Sequence, residues 1–129
     1  MNTMEIKSNL TTQELLIVNS EFEKRKKSMA IAYILCVFLG LVGAHRFYTG
    51  NVGSAIAMLV CFVGACFIEL IAGLILPIIG FFFGVIFFSP LFIWFIIDLV
   101  WLHGRVNEIN IGIEKEILQH VYNQRAQMM

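Results

Sequence analysis

Polar and apolar positions fall into long blocks along this chain. Residues 1–28 are polar with scattered apolar positions, 29–48 and 52–102 are almost continuously apolar, and 103–129 return to a mixed pattern. Thr11 followed by Glu14 makes a capping box ahead of Leu15, Val18 and Phe22, which predicts a short amphipathic helix. Its apolar residues are expected to rest at a membrane interface, with the Glu23–Lys27 charge cluster among the headgroups. In the tail, Val106, Ile109, Ile113, Ile117 and Val121 recur at spacings of three and four, a helical stripe. Gly112 weakens that helix by about 1 kcal/mol relative to alanine, so support from the interface or from a second copy of the chain is expected.

The first apolar run, Met29 to Tyr48, approaches the roughly 20 residues a membrane span needs. Lys24, Arg25, Lys26 and Lys27 precede it, which places the N-terminus in the cytoplasm and the His45–Asn51 turn on the far side. The second run, Val52 to Leu102, would be about 75 Å long as one helix at 1.5 Å per residue, against a hydrocarbon core of about 30 Å. It must fold back. A turn at Pro77, flanked by Gly73 and Gly80, gives spans at 29–48, 52–76 and 78–102 with the C-terminus outside. A second break at Ser89-Pro90 gives four short spans or a re-entrant loop, with the C-terminus inside. The expectation carried forward is an all-α integral membrane protein with three transmembrane helices in a domain over 29–102. Amphipathic segments over 1–28 and 103–129 flank it. A cleavable leader ending at Val42-Gly43-Ala44 is set aside, because the polar segment before it is long and partly acidic.

Composition reinforces the membrane reading: 59% of residues are hydrophobic and 14% charged, against roughly 45–50% and about 25% in a soluble domain. Between Ala30 and Leu102 the ionisable side chains other than tyrosine and cysteine are His45, Arg46, Glu69 and Asp98. Net charge is zero and no basic patch is interleaved with aromatics, which argues against nucleic acid as a partner. Cys36, Cys61 and Cys66 lie in apolar segments without ligand spacing, so neither a disulfide framework nor a metal site is expected. No catalytic constellation and no cofactor motif is present, and the expectation is a non-enzyme.

The intramembrane carboxylates are the leading candidates for function, because a charge at the bilayer centre costs at least about 2.5–3.5 kcal/mol. Asp98 reaches the same membrane face as Arg46 in the three-span arrangement, and an ion pair would account for both. Glu69 has no basic residue at a comparable depth. It is read either as a protonated acid bonded to a backbone carbonyl, as a group near the headgroups, or as the lining of a pore or polar interface. Gly53, Ala57, Cys61, Ala65, Glu69 and Gly73 recur every fourth residue, and Gly80 and Gly84 form a Gly-x-x-x-Gly pair. Such small-residue rows serve helix packing within a chain or between copies.

The run Phe38-Leu39-Gly40-Leu41-Val42-Gly43-Ala44-His45-Arg46-Phe47-Tyr48-Thr49-Gly50, with Gly53 and the later Ile93-Trp94-Phe95-Ile96-Ile97-Asp98, resembles the TM-two domain family, named for its two transmembrane helices. The resemblance implies that His45, Arg46 and Asp98 form the family's polar signature, with Gly40 and Gly43 making room for a neighbouring helix. It covers about residues 26–65 and 92–102, and this chain departs from it by an insertion of roughly Cys66 to Pro90, one span's worth, which contains Glu69 and the Gly80/Gly84 pair. It implies a small multi-pass protein of a bacterial inner membrane. The expected role is a membrane scaffold or regulator that associates with itself or with another membrane protein. The alternative is an oligomeric pore in which Glu69 lines a polar path.

Overall fold

The computed structural model describes residues 2–128, and every regular element among them is helical. Six α-helices follow in order: α1 Thr3–Asn9, α2 Thr12–Arg25, α3 Met29–Leu39, α4 Ala44–Tyr48, α5 Val52–Ile75 and α6 Pro77–Met128, with a 3₁₀ turn at Gly40–Val42. They form two compact units, one of residues 28–105 and one of the N-terminal and C-terminal segments, 1–27 with 106–129. Helix α6 contributes to both.

In the first unit α5 and α6 make a hairpin. Leu76 adopts an extended backbone between them, and Pro77 opens α6, where its missing N–H costs nothing. The hairpin closes tightly because Gly80 faces α5: a Cβ there would lie 2.9 Å from Gly73 backbone atoms. Aromatic and aliphatic side chains then interlock, with Met58, Ala65 and Leu91 buried and Phe62 set edge-on to Phe88 at 6.1 Å. The outer faces stay apolar, and Leu74 and Ile78 remain 78% exposed. Helices α5 and α6 are the two long and apolar enough to cross a membrane. Pro90 lies inside α6 without ending it, as in other membrane helices.

The expected continuous helix over 29–48 is broken. Helix α3 stops at Leu39, and the chain passes through the 3₁₀ turn and Gly43 before α4. Gly43 takes φ 81°, a left-handed conformation that side chains rarely adopt. Eleven residues reach about 16 Å, roughly half a hydrocarbon core. The two ends of the run also meet: the backbone N–H of Ser28 donates to the Tyr48 hydroxyl at 2.7 Å. The second expected boundary, between a span ending at 102 and a separate tail helix from 103, is likewise absent, since α6 runs through both.

The second unit has its own core. Ile6, Leu10 and Val18 from the N-terminal segment pack with Ile117 and Leu118 of α6, and Leu15, Phe22, Ile113 and Val121 close around them. The N-terminal stripe, expected at a membrane interface, and the tail stripe, expected to need the interface or a second copy of the chain, thus bury each other. Charge pairs join the same segments: Lys7 with Glu114 at 2.6 Å and Arg25 with Glu116 at 3.0 Å. Asn110 clamps the end of the N-terminal segment twice, accepting from the Lys27 N–H at 2.7 Å and donating to its carbonyl at 3.0 Å. The anticipated capping box holds α2, with Glu14 N–H donating to the Thr11 hydroxyl and Thr11 N–H donating to Glu14 Oε2.

Candidate functional site: a buried polar cluster and an isolated carboxylate

Helix α4 is one short turn whose purpose in the fold is to aim two side chains. Gly43 packs against Ala55 and Met58 of α5, where a Cβ would come within 3.2 Å, and this close approach turns His45 and Arg46 towards α6. Gly40 is similarly crowded, since a Cβ would lie 2.5 Å from the Phe95 ring. Both glycines sit at contacts between segments, and alanine at either would push them apart.

Asp98 receives both side chains. Arg46 donates from Nε to Oδ2 at 2.6 Å and from a terminal nitrogen to Oδ1, a two-pronged pair matched to the planar carboxylate. His45 Nε2 lies 2.8 Å from Oδ2 and donates its hydrogen there. The neutral ring then leaves Nδ1 as an acceptor, buried and without a partner. His45, Arg46 and Asp98 are 2%, 7% and 8% exposed, so three polar groups are removed from solvent together. The Arg46 guanidinium also lies 5.0 Å over the Trp94 ring, on the face where a cation is attracted. Burial of a charge pair on this scale is tolerable because each charge keeps several hydrogen bonds.

Glu69 stands in a different setting. It projects from α5 against Gly84 of α6, where a Cβ would come within 2.9–3.1 Å of its carboxyl atoms. Glu69 Oε2 is shielded and has no hydrogen-bond partner. The Gly80/Gly84 pair is therefore used inside the chain, one glycine admitting backbone and the other a carboxyl. Gly53 meets nothing within 4 Å, and Ala57 and Cys61 are exposed, so the small-residue row does not pack along its whole length. The reason is geometric: at 3.6 residues per turn, a spacing of four drifts by about 40° each step. The row faces α6 near Ala65, Glu69 and Gly73 and has rotated away by Gly53.

Sequence reasoning missed Tyr48 as the tie to Ser28, Trp94 as the platform for Arg46, and Asn110 as the clamp on Lys27. Tyr48 and Trp94 stand in the motif residues, but nothing in the pattern names their partners. Among the described residues no group of three or more histidine, cysteine, aspartate or glutamate side chains is placed to hold a metal ion.

No curated protein and no solved structure matches the chain. A family model described as the TM2 domain matches residues 25–100. That region runs from the end of α2 through the glycine turn, the His45–Arg46–Asp98 cluster and the hairpin, and includes the segment around Glu69. With more than half of its length matched, this chain belongs to the TM2 domain family.

Proposed function

We propose that the protein crosses the membrane twice, through α5 and residues 77 to about 102 of α6, and keeps both of its ends on one face. There the paired N-terminal and C-terminal segments form a non-enzymatic scaffold for other membrane components. The observation that carries this reading is the shared core of Ile6, Leu10, Val18, Ile117 and Leu118, since two segments can pack together only in one compartment. The Ser28–Tyr48 hydrogen bond supports it, because a run whose ends meet does not traverse the bilayer. Lys24 to Lys27 beside the first apolar residue favour the cytoplasmic side of a cell membrane as that face. The Leu76-Pro77 tip, which carries no charge for several residues on either side, is suited to translocation. This arrangement replaces the three-span expectation, in which the C-terminus lay outside.

The test is site-directed labelling in a background with Cys36, Cys61 and Cys66 replaced by alanine. An impermeant thiol reagent is expected to label Leu76→Cys in intact cells, and Asn123→Cys only after permeabilisation. Labelling of both positions from outside would contradict the proposal. The pore reading keeps one supporting observation, the unpartnered Glu69 Oε2. It predicts conductance in reconstituted bilayers that Glu69→Gln alters.

A further inference from the structure

Two cavities open along one flank of α6. The first, about 380 Å³, lies between the hairpin helices and is apolar, lined by Cys61, Gly64 and Ile68 from α5 and by Phe87, Pro90 and Trp94 from α6. The second, about 90 Å³, is polar and lined by His45, Arg46, Asp98, Trp101 and Arg105. Phe87, Leu91, Trp94, Asp98, Trp101 and Arg105 follow one another at spacings of four, three, four, three and four, so they form a single stripe of the helix. An apolar groove and a charged pocket are therefore strung in line along the same side of the hairpin.

The charge in the pocket is uneven. Asp98 compensates Arg46, whereas Arg105 has no ion pair or hydrogen bond among the described residues, which leaves one positive charge unmatched. His45 is 2% exposed, and its Nδ1 is a polar atom without a partner beside this pocket. Depth matters as well. Measured from Pro77 at 1.5 Å per residue, Asp98 is about 31 Å and Arg105 about 42 Å along α6, so Asp98 sits at the far edge of a hydrocarbon core of about 30 Å and Arg105 beyond it, on the headgroup side. Phospholipid phosphates lie at that level. Trp101, 70% exposed, has the amphipathic ring favoured there.

We propose that this flank holds one anionic glycerophospholipid, its phosphate against Arg105 and one acyl chain in the groove beside Phe87, Pro90 and Trp94. The inference rests on the two-span reading, which sets the depth. A guanidinium suits a phosphate because it offers several donors in a fixed fork, and basic pockets between membrane helices on the cytoplasmic side take up such headgroups. The net positive charge of the pocket selects a headgroup with net negative charge over a zwitterionic one. The apolar groove distinguishes a lipid from a free phosphate, which needs no chain site.

The full chain in detergent micelles, analysed by native mass spectrometry, tests this. Wild type is expected to retain phosphatidylglycerol at least fivefold better than phosphatidylcholine with the same acyl chains, and inorganic phosphate is expected not to displace it. Arg105→Gln removes the preference and Arg105→Lys restores most of it. Gly64→Leu fills the groove from a position where an added Cβ meets nothing within 4 Å, and it lowers retention of both lipids at least threefold. Equal retention of the two lipids by wild type overturns the proposal. So does a preference that survives Arg105→Gln, displacement by inorganic phosphate, or indifference to Gly64→Leu. Labelling of Leu76→Cys and Asn123→Cys separates the two ideas. Correct topology without lipid preference removes the lipid site alone, whereas wrong topology removes the two-span reading and with it the depth argument.

Discussion

Asp98 and Glu69 are two carboxyl groups in apolar helices of one hairpin, and the fold treats them in opposite ways. Asp98 lies near the open end of the hairpin, with Arg46 bonded to both its oxygens and His45 bonded to Oδ2. Glu69 lies near the closed end, about 10 Å from the Leu76 turn at 1.5 Å per residue, with one oxygen facing no partner at all. The difference shows what each group needs from its neighbours. An ionised carboxylate away from water requires charge and donors brought from another segment, and the Gly43 turn supplies them. The Glu69 carboxyl is given room against Gly84 but no donor or cation from another segment.

The contrast breaks most visibly at Asp98. Asp98→Ala strands Arg46 as a buried charge and is expected to cost about 3–5 kcal/mol in detergent unfolding. Arg46→Ala is expected to approach that loss, and the double variant to lose less than the sum of the two. Strict additivity would mean that the two groups do not interact.

Gly84→Ala comes next. A Cβ there must displace the Glu69 carboxyl, and the expected loss is about 1–3 kcal/mol, typical of overpacking. Glu69→Ala should relieve most of it in the double variant, as thermal unfolding would register. If Gly84→Ala costs the same with or without Glu69, the carboxyl is not what occupies that space.

Glu69→Gln keeps the shape and removes only the ability to ionise. Because Glu69 Oε2 has no hydrogen-bond partner to lose, stability should change by less than about 0.5 kcal/mol at pH 7, whereas Asp98→Asn in the same assay should be markedly destabilising. A large loss for Glu69→Gln would place an unseen cation beside it.

The comparison is sharpened by a third carboxylate in water. Glu14 accepts from the backbone and hydroxyl of Thr11, and these hydrogen bonds, the backbone one first, hold its pKa below the usual 4.5. A carboxylate with a depressed folded pKa adds stability that is present above its unfolded value and is lost as pH falls through the folded one. Helicity is therefore expected to drop slightly below pH 4.5 in wild type and less in Glu14→Gln. Thr11→Ala removes the cap and is expected to cost about 1 kcal/mol at neutral pH.

Much of this was legible in the sequence, for identifiable reasons. A continuous apolar block too long for one helix, with Pro77 at its midpoint, announces a hairpin because lipid thickness is fixed. Arg46 and Asp98 point to each other as rare opposite charges at the ends of apolar runs. The break at Gly40–Val42 was hidden, because an all-apolar stretch has no polar face to reveal where a helix stops, and the backbone departs from the helix at Leu39 and turns at the left-handed Gly43. The shared core of the two end segments was hidden for another reason. Leu15 and Val18 on one side of the sequence and Ile113 and Ile117 on the other form stripes equally suited to a membrane surface or to each other, and periodicity does not name a partner. From the sequence, Glu69 showed its isolation but not its neighbour, since a glycine carries no side-chain signal of what it admits.

Topology is the claim on which the rest depends, and a cross-link tests it most directly. Lys7 and Glu114 sit opposite each other in an ion pair across the two end segments. In membranes carrying Lys7→Cys and Glu114→Cys, with the three native cysteines replaced by alanine, a short flexible bismaleimide, which spans the separation of two long side chains meeting at their tips, is expected to link the two positions within one chain. It would be seen as a faster-migrating monomer that neither single-cysteine variant gives. Failure to form that monomer, or formation only of cross-linked dimers, would contradict a two-span protein whose ends close on each other on one face of the membrane.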